Sequence, residues 1–322
     1  MIFVILLPFV LGDFNEWYQS NSKYMTIYGV SKEESKRAYE ENVKYIEDFN
    51  KGKHSYKMSI KGRWTGFPRS KLNQIFRPLK RDLKGDYKGD FKGCSSYHYK
   101  DDVPKVQNNI DYVDHRDKLS NVRDQGNCGG CYSFGSLGAL EGRLNIKYNH
   151  KFDLSEQEII DCSVPYGNAG CSGGIGEYVY SYIIDNKLSI ENDYKYTAHY
   201  GTCNKNVTKH VVLKNYRCTY NENENKILND LIDGPIDFAM NVQDSFLYYD
   251  SGFYEESRCI SDINHLDHEM TIVGYGYNNN RLYYIIRNSW GSSWGMSGYA
   301  YVYSDQCGIE FDTEVPLDYE LI

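Results

Sequence analysis

The run Gln125-Gly126-Asn127-Cys128-Gly129-Gly130-Cys131-Tyr132 holds the residues whose types and spacing point first to chemistry. It is followed by Phe134, Leu137, Leu140 and Leu144, spaced by three, three and four, which predicts an amphipathic helix starting directly at Cys131. A thiol at a helix start feels a partial positive charge, and with a histidine partner its pKa falls from about 8.5 into the range of about 3.5 to 7.5. The glycines let the backbone approach a substrate carbonyl, so the Cys131 N–H and the Gln125 amide are placed to stabilise an oxyanion. Loss of one such donor costs about 10²- to 10³-fold in rate. The C-x-x-C pair has two other readings, a thiol redox couple and half of a structural zinc site. No αβ repeat precedes it and no second Cys or His pair lies at close spacing, yet taken alone the pair leaves all three readings open.

Two kinds of element must position such a site. Ser155 with Glu158 three residues later reads as a capping box opening a second helix, and residues 177–184 read as a third. Beyond about Val211 the texture turns to short β-favouring runs, MTIVGYGY, RLYYIIRNSW and GYAYVYS, separated by Asn or Gly turns. A helical half followed by a stranded half predicts two lobes with a cleft between them. Ahead of both, residues 31–50 are strongly helical, with Tyr39, Asn42, Ile46 and Asn50 on one side. Residues 51–102 dissolve into Gly, Lys and Tyr, including KGDYKGDFKG, and read as an exposed, flexible connector.

Composition narrows the class. The chain has 322 residues, 41% of them hydrophobic, enough for a real core, and 32 tyrosines that lean toward β structure. MIFVILLPFVLG is too short to span a bilayer, where about 20 residues are needed, and reads as a signal peptide. Nine cysteines fit the secretory pathway better than the cytosol, and Asn206-Val207-Thr208 is a glycosylation sequon. Residues 13–107 carry 20 Lys and Arg against 13 Asp and Glu, while the remainder carries 16 against 31. A basic segment docked on an acidic body is the expected arrangement, weakened as pH falls. No aromatic-interleaved basic motif suggests nucleic acid.

Five ordered blocks carry a resemblance. Gln125-x-x-Cys128-Gly-x-Cys131 with its aromatic, Leu154 to Cys162, Gly170-Cys171-Ser172-Gly173-Gly174, Asp267-His268 with Val273-Gly274-Tyr275-Gly276, and Arg287-Asn288-Ser289-Trp290-Gly291 with Trp294-Gly295 resemble the papain/cathepsin family of cysteine proteases. The resemblance implies an α+β, two-lobe fold, with a helical left lobe and a β-barrel-like right lobe, preceded by a mainly helical propeptide. It divides the chain into signal peptide 1–12, inhibitory propeptide 13–108 and peptidase domain 109–322, with processing between about Val103 and Asn109.

It makes Cys131 the nucleophile, His268 the base and then acid in preference to nearby His265, Asn288 the orienter of the imidazole, and Gln125 the oxyanion donor. Trp290 would shield the His268–Asn288 bond, and Gly173 and Gly174 would bind the peptide as an added strand. Asp312 would floor the pocket for the second residue before the scissile bond and favour Arg or Lys there. Disulfides Cys128–Cys171, Cys162–Cys203 and Cys259–Cys307 are implied. Cys131 is then free, Cys94 leaves with the propeptide, and Cys218 is expected as an inert buried thiol, pairing of those two being the minor alternative. No cofactor or metal is implied. Expected partners are protein or peptide substrates, the chain's own propeptide and cystatin-like inhibitors, acting on a monomer with no membrane span in a lysosome, digestive vacuole or the extracellular space. The alternative is a catalytically inactive papain-fold binding protein.

Four departures stand out. Tyr132 and Gly130 stand where the family has Trp and Ser, His115 replaces a Trp, and Glu269 follows His268, where it is expected to raise the imidazole pKa.

Overall fold

The computed structural model describes residues 13–74, 110–220 and 224–322. The signal sequence, the Lys84–Gly93 repeat, Cys94 and the processing region therefore lie outside the described residues.

The N-terminal segment is built on two helices. Helix α2 (Lys32–Lys51) begins on a complete capping box: the Ser31 hydroxyl accepts the Glu34 N–H, and the Glu34 carboxylate takes the Ser31 N–H at 2.9 Å. Its predicted face is buried as far as Ile46. The two asparagines on that face are there to bond backbone. Asn42 donates to Thr65 O and Phe67 O, and Asn50 pairs with both the N–H and the C=O of Met58. Helix α1 (Phe14–Ile27) was not anticipated, although its buried Phe14, Trp17, Asn21 and Met25 have the same spacing of three, four and four. The connector reading is corrected over residues 51–74. These form strand β1 (Tyr56–Met58) and two 3₁₀ turns, at residues 63–66 and 69–74, held by those asparagine bonds.

The helical lobe consists of α3 (Cys131–Tyr148), α4 (Glu156–Cys162) and α5 (Gly176–Asn186), packed around Leu137, Leu140, Leu144, Ile159, Ile160, Val179 and Ile183. The capping box expected at α4 is half formed. Ser155 Oγ accepts the Glu158 N–H, but the Glu158 carboxylate turns away to Tyr182, Ser189 and Lys209.

The stranded lobe contains β2 (Val113–Asp114), β3 (Val211–Thr219), β4 (Ile236–Met240), β5 (Tyr249–Tyr254), β6 (His268–Asn278), β7 (Arg281–Arg287), β8 (Tyr299–Tyr303) and β9 (Thr313–Leu321), with α6 (Glu224–Asp233) and the short α7 (Asp244–Leu247) between strands. The strand order is β1-β5-β8-β7-β6-β4-β9-β3, with β2 pairing on β6. The sheet is not closed into a barrel, which corrects the barrel-like expectation. Hairpin β6–β7 turns on Asn279 and Asn280, both at positive φ, as a two-residue turn between twisted strands requires.

Strand β1 belongs to the N-terminal segment yet pairs with β5, and one apolar cluster runs from Phe14 and Trp17 through Trp64 to Phe246, Trp290 and Val315. The segment and the stranded lobe thus share a core. Cys128–Cys171, Cys162–Cys203 and Cys259–Cys307 are bonded, and Cys131 is the free cysteine among the described residues. Cys218 is disulfide-bonded, so its reading as an inert thiol is corrected. Among the described residues no helix is long and apolar enough to cross a membrane.

Candidate active site

Glycines on α3 let that helix lie directly on β6. A Cβ at Gly135 would fall 3.0 Å from the Met270 nitrogen, one at Gly138 would fall 2.3 Å from Thr271 Oγ1, and Thr271 Oγ1 donates to Gly135 O at 3.0 Å. Cys131, one helical turn before Gly135, is thereby carried to the start of β6, where His268 stands. The backbone N–H groups of Glu269 and Tyr132 are directed at its sulfur.

His268 Nε2 lies 2.9 Å from Asn288 Oδ1, which also accepts the Ser289 N–H at 2.7 Å. That second bond fixes the amide orientation, so Nε2 carries the proton and Nδ1 is the acceptor of the neutral ring. The imidazole stacks on Trp290 with centroids 4.8 Å apart and planes 25° apart, under a ring that is itself buried. His265, the rival histidine, is exposed on a 3₁₀ turn beside Asp262. Gln125 is buried, its Nε2 donating to Cys128 O at 2.9 Å and its Oε1 accepting from Ser289 Oγ at 2.6 Å. The second amide hydrogen of Gln125 is left for a ligand.

Electrostatics depart from the sequence expectation. Burial pushes the Cys131 thiol up to about 11, more than the two backbone N–H groups offset, and pushes the His268 imidazole down to about 4 against the pull of Asn288. Both shifts favour the neutral forms in this precursor, burial outweighing the helix start. Glu269 does not raise the imidazole pKa. Successive strand side chains alternate, so its carboxyl faces Ser136 and Asp237 instead.

Gly173 sits at φ 109° with open space around its Cα, an edge a ligand backbone can approach. Gly174 is forced: a Cβ there would meet Asn168 Oδ1 at 2.2 Å. Asp312 is buried beside Glu177 and Glu314, the three placing carboxylate oxygens within 4.8 Å of one another. Asn206 is exposed on a loop. Cys128, tied to Cys171, is not available for a redox couple with Cys131.

Tyr132, the departure from Trp, is fully buried and donates its hydroxyl to Gly170 O at 3.0 Å, tying the helix start to the loop that carries Cys171. Tyr132→Phe leaves that carbonyl unpaired and is expected to cost about 1–3 kcal/mol of stability, read as a lowered midpoint of thermal unfolding; an unchanged midpoint would show the bond to be idle.

Four residues connect the N-terminal segment to this site, a link that the sequence did not mark. Arg63 is buried and reaches Asp124 Oδ1 at 2.6 Å, while Tyr24 OH donates to Asp124 Oδ2 at 2.9 Å and Tyr28 OH to Gly126 O at 2.7 Å. Trp64 packs edge-on to Trp290 at 5.5 Å. The buried pair Asp237 and Glu269 was likewise not marked as a unit. A single sequence offers no signal for it, since strand register brings the two together.

Residues 106–317 match the family model described as papain family cysteine protease. Cysteine proteinase 1 of Entamoeba histolytica is 32% identical over 330 residues, covering 100% of both chains, and mouse procathepsin L is 31% identical over 94% of this chain and 91% of its own. The solved digestive procathepsin L 3 of Tenebrio molitor larval midgut superposes with TM-score 0.77 at 28% identity, covering 94% of this chain and 99% of that one.

Proposed function

The chain belongs to the papain family of cysteine proteases, in precursor form with a propeptide, and from that premise we propose that it is a thiol endopeptidase of the secretory pathway working through a Cys131 acyl-enzyme. The observation that carries this reading is the hydrogen-bonded order Asn288–His268 beside the free Cys131, closed over by Trp290.

In the proposed reaction His268 Nδ1 takes the thiol proton as sulfur attacks the carbonyl, and Asn288 holds the ring in the required tautomer. The Cys131 N–H and the free Gln125 amide hydrogen stabilise the oxyanion. His268 then returns the proton to the leaving amine, and water cleaves the thioester. The peptide lies along Gly173 and Gly174, and Asp312 favours Arg or Lys at the second residue before the scissile bond. The propeptide, residues 13–108, inhibits by keeping the site buried until it is cut. Passage through the secretory pathway follows from the apolar leader and the disulfides, and cystatin-like proteins are candidate inhibitors.

The test is to process the precursor at pH near 5, react it with a thiol-directed epoxide, map the label and assay a fluorogenic peptide. Modification of Cys131 with loss of hydrolysis is expected. A processed, folded protein that cleaves no peptide would instead be a binding protein on this fold.

A further inference from the structure

One contact that holds the precursor together is made, on one side, by groups that stay in place when the segment is cut away. The turn from Asp124 to Cys131 runs between the lobes, and its two ends face different partners. At the Gly129 end it abuts the proposed peptide edge: the Gly129 N–H donates to Cys171 O at 3.0 Å, and a Cβ on Gly129 would fall 3.5 Å from the Gly173 nitrogen. At the other end it lies against the stranded lobe. Asp124 bridges Trp290 in antiparallel register, the Gly291 N–H donates to Arg123 O at 3.0 Å, and the Gln125 N–H donates to Ser289 O at 2.8 Å. A peptide that lies along Gly173 and reaches Cys131 thus carries the residues beyond its scissile bond toward Asp124.

In the precursor Asp124 already holds a guanidinium. Arg63 Nη1 lies 2.6 Å from Asp124 Oδ1, and the guanidinium carbon stands 4.7 Å from the Tyr24 ring centroid and 4.8 Å from that of Trp64. The fit is incomplete. Arg63 Nε and Nη2 are buried without a hydrogen-bond partner among the described residues, while the Tyr24 and Tyr28 hydroxyls occupy the neighbouring acceptors, Asp124 Oδ2 and Gly126 O.

Arg63, Tyr24 and Tyr28 all leave with the N-terminal segment. What stays is a carboxylate oriented by the Gly126 N–H, which donates to Oδ1 at 2.9 Å, with the Gly126 carbonyl beside it and Trp290, on which Trp64 had packed, close by. Two carboxylate oxygens and a carbonyl near an aromatic ring suit a guanidinium, whose planar fork offers five N–H donors and stacks on rings. An ammonium offers three donors from a single point.

We infer that in the processed enzyme Asp124 is a specificity-determining residue that receives a substrate arginine at the first or second residue beyond the scissile bond, in the place Arg63 holds in the precursor. The inference rests on the endopeptidase reading and deepens it. Arginine is preferred there to lysine as well as to leucine, and the segment that closes the precursor does so by borrowing a substrate contact.

The experiment uses enzyme processed from the full precursor and internally quenched peptides that share one sequence up to the scissile bond. They differ at the first or second residue beyond it, which is Arg, its uncharged isostere citrulline, Lys or Leu. Epoxide labelling of Cys131 runs in parallel. At one of the two positions the Arg peptide is expected to be cleaved with about 10-fold higher kcat/KM than the citrulline peptide. That is the lower end for a charged hydrogen bond, because the Asp124 side chain is 29% exposed even with the segment in place. Asp124→Asn is expected to abolish the difference, and the ratio is read within one preparation, so loss of folded enzyme cancels. Equal cleavage of the Arg and citrulline peptides at both positions overturns the inference while leaving the endopeptidase reading intact, and needs no variant to fold. A preference for Arg that survives Asp124→Asn overturns it as well, since another group then receives the arginine. Absence of hydrolysis in labelled wild type overturns the endopeptidase reading itself.

Discussion

His268→Ala is expected to lower kcat/KM of the processed enzyme by about 10⁴-fold or more, the scale on which losing one member of a nucleophile–base pair acts. The reason lies in the thiol. Attack by its sulfur needs a base to take the proton, and His268 is the base of the proposed reaction. Asn288→Ala should cost less, about 10²-fold, since the stacked Trp290 still restrains the ring while the tautomer is no longer fixed. Steady-state kinetics with active-site titration separates these outcomes from loss of folded enzyme. A His268→Ala enzyme within tenfold of wild type would remove the imidazole from the mechanism.

The second large effect is expected in the precursor. Arg63→Met should speed epoxide labelling of Cys131 in the uncleaved chain by about 100-fold. Removing one partner of a buried pair costs about 3–5 kcal/mol, discounted here toward 3 because the Asp124 side chain is 29% exposed. An opening equilibrium that is 3 kcal/mol easier is reached about 150 times as often. An unchanged labelling rate would mean that the segment is held elsewhere.

The sign with pH follows from Asp124. Burial raises its carboxyl pKa, but Arg63, the Gly126 N–H and Tyr24 together bring it below the ordinary value. The stabilisation from this carboxylate is complete above its unfolded pKa of about 4 and is lost as pH falls through the still lower folded value. Labelling that remains slow at pH 5 in the wild-type precursor would agree with this. Acid near pH 5 does not protonate Asp124, so the weakening of attraction between the basic segment and the acidic body has to come from other carboxylates.

Local chemistry in this chain is legible and long-range register is not. The helix over residues 31–50, the apolar spacing of α3 and the asparagine turn of β6–β7 each depend on residues close in the chain, and each is found where the letters put it. The proposed nucleophile, base and orienter, Cys131, His268 and Asn288, stand out in the sequence because five ordered blocks leave little freedom. What escaped depends on pairing across the chain. Nothing near Arg63 says that it will be buried against Asp124, 61 residues away. Glu269 reads in sequence as a neighbour of His268, yet the strand turns it toward Ser136 and Asp237. The half-formed box at α4 shows the same limit, since Glu158 finds better partners in Ser189, Tyr182 and Lys209 than in its own cap.

Strand β1 takes on a different aspect once the chain is cut. While the segment is attached, β5 has neighbours on both sides, β1 and β8. Its departure turns β5 into the sheet's outer border, with unpaired backbone groups along Tyr249–Tyr254 and a flank of aromatic rings that Tyr56, Trp64 and Phe67 had covered. Such borders recruit strands from other molecules. The leader is therefore also a guard against self-association while the lobe folds, and the mature enzyme carries a lasting liability that the precursor lacks. Unfolded and diluted without its leader, the mature domain should return to monomer less completely than the precursor does.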